Sequence, residues 1–111
     1  MQLDETFTII DRVMVRSVVP KRGTPYQHTC ELAVYENVAH TIDELDRAGF
    51  TLDDLQARTQ APHSQVAVAL AFLKERGCIV PSVRRKHVAA SGAVHLDAMT
   101  EWHALREKAA S

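Results

Sequence analysis

Hydrophobic and polar positions alternate with two different periods along this chain, and the change of period marks the elements. From Leu32 the apolar residues Leu32, Tyr35, Val38, Ala39, Ile42 and Leu45 recur at helical spacing through to about Ala48, with Gly49 placed as a left-handed C-cap. Thr24-Pro25 upstream has the form of a helix start, with Pro at the first helical position. After Phe50, Thr51 is suited to an N-cap. Asp53 and Asp54 follow in the positive first turn of a short helix that buries Leu52, Leu55 and Ala57. Arg58-Thr59-Gln60-Ala61 is a polar connection. Pro62 then opens a longer helix with Val66, Ala69, Leu70 and Leu73 on one face, ending at Arg76-Gly77.

Beyond Gly77 the period becomes two. Cys78 to Val83 reads as a strand that Pro81 confines to an edge or bulge. Arg84-Arg85 serves as a turn, and Lys86 to Ala90 as the returning strand. Ser91 can cap a last helix carrying Val94, Ala98, Trp102 and Leu105 on one face, with His95, Glu101, Arg106 and Lys108 mostly towards solvent. The first segment, Asp4 to Val19, satisfies both periods. Phe7, Ile10, Met14 and Val18 have helical spacing, and Thr8 with Asp11 suits a capping box, whereas the abundance of Ile, Val and Thr favours a strand. The balance tips slightly to a helix ended by Pro20, followed by a basic turn at Lys21-Arg22-Gly23.

The expected fold class is therefore mainly α with a small β-hairpin, a winged helix-turn-helix. It forms one domain over 1–111, with an N-terminal extension (1–22), a helix-helix-helix-wing unit (24–90) and a C-terminal helix (91–109). The length of 111 residues fits a single domain large enough to fold without disulfides or metals. Aromatics are only 5%, so Val, Leu, Ile and Ala must build the core. No run approaches the ~20 apolar residues of a membrane span. MQLDETFTII lacks the basic start of a secretory signal. With only Cys30 and Cys78, the reading is a cytoplasmic protein with reduced thiols that act as small buried hydrophobes.

The formal net charge of -1 argues against a protein that coats nucleic acid, but the charge is polarised. Asp43, Glu44, Asp46, Asp53 and Asp54 outweigh Arg47 and Arg58, whereas Lys74, Arg76, Arg84, Arg85 and Lys86 outweigh Glu75. Such a domain can steer a polyanion to one face.

Thr51-Leu52-Asp53-Asp54-Leu55, Pro62-His63-Ser64-Gln65-Val66, Leu70, Leu73 and Glu75-Arg76-Gly77-Cys78-Ile79-Val80 together resemble bacterial winged-helix regulators of the multiple-antibiotic-resistance and arsenic-repressor types. The likeness covers Phe50 to Ala90, about half the chain, and extends to small uncharacterised bacterial winged-helix proteins. It implies double-stranded DNA as partner, a dimer, and transcription regulation. His63, Ser64 and Gln65 would face base edges, with Gln65 able to pair adenine bidentately. Arg84, Arg85 and Lys86 would meet phosphates or a narrow minor groove, with Lys74 in the same basic cluster. A polar first turn and a solvated hairpin tip explain the same residues without DNA.

The chain departs from that pattern at Ala67, Val68, Ala71 and Phe72, where groove readers carry donors. The N-terminal segment, the last helix or a second subunit must cover this stripe. The alternative function is accordingly a protein-interaction or dimerisation module with Val68 and Phe72 in the interface. The position of Phe72 separates the two: covered by Phe7, Met14 or Trp102 it is core, and exposed it is interface. His28-Thr29-Cys30 is a conceivable ligand pair, but no C-x-x-C or H-x-x-x-H arrangement supports a metal. No nucleophile motif accompanies His95, Asp97 and His103, and no glycine-rich phosphate loop occurs, so neither an enzyme nor a cofactor is expected.

Overall fold

The computed structural model describes residues 4–110. Residues 1–3, on which part of the leader and extension readings rests, lie outside that range. Three antiparallel strands come first: β1 (Asp4–Ile10), β2 (Val13–Val19) and β3 (Tyr26–Glu31), in the order β1-β2-β3. They are followed by α1 (Leu32–Glu44), α2 (Leu52–Thr59), α3 (His63–Glu75), a hairpin of β4 (Ile79–Pro81) and β5 (His87–Ala89), and α4 (Val94–Ala110). The molecule is thus an α+β fold of four helices and two antiparallel sheets among the described residues, and the expectation of a mainly α fold is incorrect.

The correction lies in the first 31 residues. Ile10 pairs with Val13 across a two-residue turn, Asp11-Arg12, in which Asp11 takes a left-handed backbone (φ 57°). This turn puts Phe7 and Ile9 of β1 on the same face as Met14 and Val18 of β2 and Cys30 of β3. Ile9, Met14, Val18 and Cys30 are buried, whereas Ile10, which a helical stripe would bury, is 61% exposed. β-Branched side chains pack better on a pleated sheet with one buried face than on a helix, and that preference prevails here. Thr24-Pro25 opens no helix, because β3 continues the sheet to Glu31. The Leu32 N–H then donates to the Arg12 carbonyl (2.8 Å), and α1 begins at Leu32. The boundary expected between residues 22 and 24 falls within the loop between β2 and β3, so the extension and the next unit share this sheet.

α1 buries Tyr35, Val38, Ala39 and Ile42 as its periodicity predicts. It ends earlier than expected, at Leu45, with Asp46 in the left-handed position (φ 56°). Gly49 is instead closely covered: a Cβ there would stand 3.1 Å from the Lys86 side chain, which would have to give by a few tenths of an ångström. The Thr51 cap is formed as a full capping box. Its hydroxyl accepts from Asp54 N–H (3.1 Å), and the Asp54 carboxylate accepts from Thr51 N–H (2.9 Å). Gly77 (φ 76°) closes α3, with Gly77 N–H donating to Lys74 and Cys78 N–H to Leu73, the two bonds of a Schellman motif.

One buried cluster runs from Ile9, Met14 and Cys30 through Tyr35, Phe50 and Phe72 to Trp102 and Leu105, so the sheet, the helices and the hairpin share a single core. Tyr35 sits at its centre, 5.0 Å from the Trp102 ring, and its buried hydroxyl donates to the Ala98 carbonyl (2.7 Å). α4 is fastened to α1 by Asp43, whose two carboxylate oxygens accept the Val94 and His95 N–H groups (2.7 and 2.9 Å). Ser91 serves beside it, accepting from Ala93 N–H and donating to Asp97. Removing the Asp43 carboxylate orphans two N–H groups at the positive end of a 17-residue helix. Asp43→Ala should lower unfolding free energy by about 1–2 kcal/mol, read as a shift in the urea midpoint.

Candidate nucleic-acid interface

α3 follows α2 after a short turn, and its sides have opposite fates. Val66, Val68, Ala69, Phe72 and Leu73 are buried, and the N-terminal sheet lies against it through β3. Phe72 is fully covered. The Phe7 ring meets it edge-on at 5.2 Å, Tyr35 stands 6.1 Å away, and the Arg76 guanidinium lies 5.1 Å over its ring. Val68 is likewise fully buried. Both residues expected at a subunit interface are therefore core, because the sheet formed by the first 31 residues already covers them.

The other side of α3 remains open. His63, Ser64, Lys74 and Glu75 are exposed, with Ala67, Leu70 and Ala71 partly exposed between them. Gln65 does not join this face as expected. It is half-buried, and its Oε1 accepts the Glu31 N–H at 3.0 Å, satisfying a main-chain donor at the end of β3. Bidentate pairing with adenine uses that oxygen, so the Glu31 N–H competes with the role expected of Gln65.

The hairpin is held against the helices by main-chain bonds. Phe50 and His87 exchange N–H···O bonds of 2.9 Å in both directions, tying β5 to the segment before α2. At the tip, Lys86 N–H donates to Val83 O (3.1 Å) and Ser82 N–H to Lys86 O (2.8 Å). The two central residues, Arg84 (φ 55°) and Arg85 (φ 66°), are both left-handed, the geometry of a type I′ turn. Asn-Gly is the favoured pair there, and an ordinary side chain costs roughly 1–2 kcal/mol in each left-handed position. Both arginine side chains are exposed, beside a Val83 that is 72% exposed.

The remaining cations flank this tip. Lys86 is exposed, and its methylenes lie over Gly49. The Asp54 carboxyl is held below its ordinary range by the Thr51 backbone and hydroxyl bonds first, with Lys86 and Arg58 adding smaller effects. Lys74, near the end of α3, is close enough to β5 to depress the His87 imidazole, behind the larger effect of burial. Folding therefore favours neutral His87, and the unfolded chain takes up that proton first. The stability this contributes is complete above the ordinary value of 6.5 and is lost as pH falls from there through the depressed folded-state value. His87→Gln should flatten the acid side of the stability profile, measured by urea unfolding across that range.

Other candidate groups are dispersed. Burial, and secondarily Glu31, pushes the Cys30 thiol up to about 12. Burial, then Glu101 and Asp97, pushes Cys78 up to about 11 against the opposing effect of Arg76. Neither has the thiolate character that nucleophiles and metal ligands need. His28 lies in β3, its ring 5.2 Å from Tyr26, and no group of three metal-ligating side chains converges among the described residues. His95 stacks on His40 (3.7 Å) and contacts Glu36 (3.3 Å), serving the joint between α1 and α4, while Asp97 takes the Ser91 hydroxyl at the start of α4.

The structure thus assembles His63, Ser64 and Lys74 on one face of α3, with Arg84 and Arg85 on the adjoining hairpin. It ties Gln65 to the end of β3 and buries Val68 and Phe72. The left-handed arginine pair and the packing of Lys86 over Gly49 carry no pattern that hydrophobic periodicity detects. Among the described residues, no helix is long and apolar enough to cross a membrane. Comparison with known proteins returns no family model, no curated protein and no solved structure that matches the chain.

Proposed function

We propose that this chain binds double-stranded DNA through the open face of α3 and the tip of the β4–β5 hairpin, as a transcriptional regulator. The observation that carries the reading is the hairpin tip. Two exposed arginines occupy consecutive left-handed positions that disfavour them. Strain of this kind clusters where a side chain has work to do at the surface. The resemblance of the α2–α3–hairpin segment to winged-helix regulators supports the same assignment.

The roles follow from chemistry. Arg84 and Arg85 each offer a planar fork of donors to phosphate oxygens or to a narrow minor groove. Lys74 adds a point charge on the same side. Ala67 and Ala71 are short enough to let the α3 backbone approach a groove, leaving His63 and Ser64 as its hydrogen-bonding groups. With few donors for base edges, affinity comes mainly from phosphate contacts, and sequence preference is modest.

Titration of a labelled duplex by fluorescence anisotropy tests this. Three cationic side chains on phosphates give a log K against log salt slope of about −2.7 per chain, or about 40-fold weaker binding between roughly 50 and 200 mM salt. Absence of salt-sensitive binding at about 50 mM would sink the proposal.

A further inference from the structure

The two outer strands of the N-terminal sheet are not treated alike. At β3, Gln65 reaches across to take the Glu31 N–H. At β1, a seven-residue strand with no proline, glycine or lysine pairs only with β2 among the described residues. α4 packs against β1, but among the described residues no backbone bond from another element takes its outer edge. An edge left open in this way can template the addition of another strand. A cavity of about 390 Å³ runs beside β1, lined by the consecutive residues Glu5 to Thr8. Residues pointing to both faces of the sheet line it, with the end of α3 and α4 on its other side, so it follows the strand's edge where the helices flank it.

We propose that β1 is a self-association edge, on which β1 of a second copy adds antiparallel to make a continuous six-stranded sheet. Charge favours a second copy as the occupant. A two-fold contact brings each surface against itself, so a groove of one sign repels its mate. This groove carries both signs, with Glu5 and Glu75 balanced by Arg76 and Lys108. Centred on Phe7, the antiparallel register sets Asp4 opposite Ile10 and Glu5 opposite Ile9 of the second copy, and Thr6 opposite Thr8, so no like charges are opposed. The paired edge is only about 23 Å long, and such a junction falls short of the ~800 Å² per partner of a standard stable interface. The dimer is consequently governed by mass action, with a dissociation constant on the order of micromolar or weaker.

The inference is independent of the DNA reading, since it is measured by mass without nucleic acid. Sedimentation velocity of the full chain from about 5 to 500 μM should show the average mass rising towards twice the chain mass. Thr6→Lys combined with Thr8→Lys places two pairs of like charges across the junction on the outward face. That variant should dissociate at least ten-fold more readily, with an unchanged circular dichroism spectrum. A second arm avoids dependence on that variant: chains carrying Thr6→Cys mixed with chains carrying Thr8→Cys should form a disulfide heterodimer under mild oxidation. A wild-type chain monomeric at the highest concentration overturns the proposal. So does a dimer that is indifferent to the lysines and gives no mixed disulfide.

Discussion

Phe72→Ala is expected to destabilise the fold by about 3–5 kcal/mol, the range for deleting a large aromatic from a well-packed interior. The residue is fully buried and joins three parts of the molecule: Phe7 from β1 meets it edge-on, Tyr35 from α1 stands behind, and Arg76 covers the ring. Domains of this kind hold only about 5–15 kcal/mol in total, so the loss takes a large share. Urea unfolding followed by circular dichroism measures it. Leu70→Ala, on the partly exposed side of the same helix, should cost clearly less. Phe72→Glu should destabilise the fold further still, because it sets a carboxylate among the apolar groups that pack on the ring, and the neighbouring Arg76 guanidinium offsets only part of that cost. A folded monomer released from a dimer by that substitution would return Phe72 to an interface role. Pairing Phe72→Ala with Phe7→Ala should show a coupling of about 0.5–1.5 kcal/mol from the edge-on ring contact.

The same contact explains what the sequence leaves hidden. Elements whose ends are set by local chemistry are legible: Thr51 with Asp54 builds its capping box, and Gly77 its left-handed C-cap, from residues within one turn. The buried face of α1 follows its 3.6-residue period. The first strands are harder to read because Phe7, Met14 and Val18 suit either period, and Asp11-Arg12 lacks the glycine that announces a tight hairpin turn. Once those strands are placed, the stripe on α3 ceases to be anomalous, since the sheet covers Val68 and Phe72. Gln65 illustrates the limit at the candidate interface. Its type and position suit a base contact, yet a main-chain donor 34 residues earlier in the chain takes its oxygen. Only tertiary structure reveals such long-range competition for a polar group.

Replacing Arg84 with Asn and Arg85 with Gly should separate stability from binding more sharply than any other change. The pair Asn-Gly is the favoured occupant of the type I′ geometry that the two arginines adopt at φ 55° and 66°. The double variant should therefore unfold at higher urea concentration, gaining about 1–2 kcal/mol from relief of two left-handed side chains, although glycine's greater freedom in the unfolded chain offsets part of this. Duplex binding should move the other way. A hydrogen bond to a charged group contributes roughly 1.5 kcal/mol or more, so losing two arginine–phosphate contacts should weaken affinity by about 100-fold at low salt. The salt slope should become shallower by about 1.8. A simple loss of fold cannot imitate this pair of results, since the variant is expected to be the more stable protein. If it is stabilised and binds duplex as tightly as the wild type, the hairpin tip takes no part in DNA binding. If it is destabilised, the arginines make a structural contact that their exposed side chains do not suggest. The combination of higher stability and weaker, less salt-sensitive binding would show that the strained arginine turn is retained for a ligand.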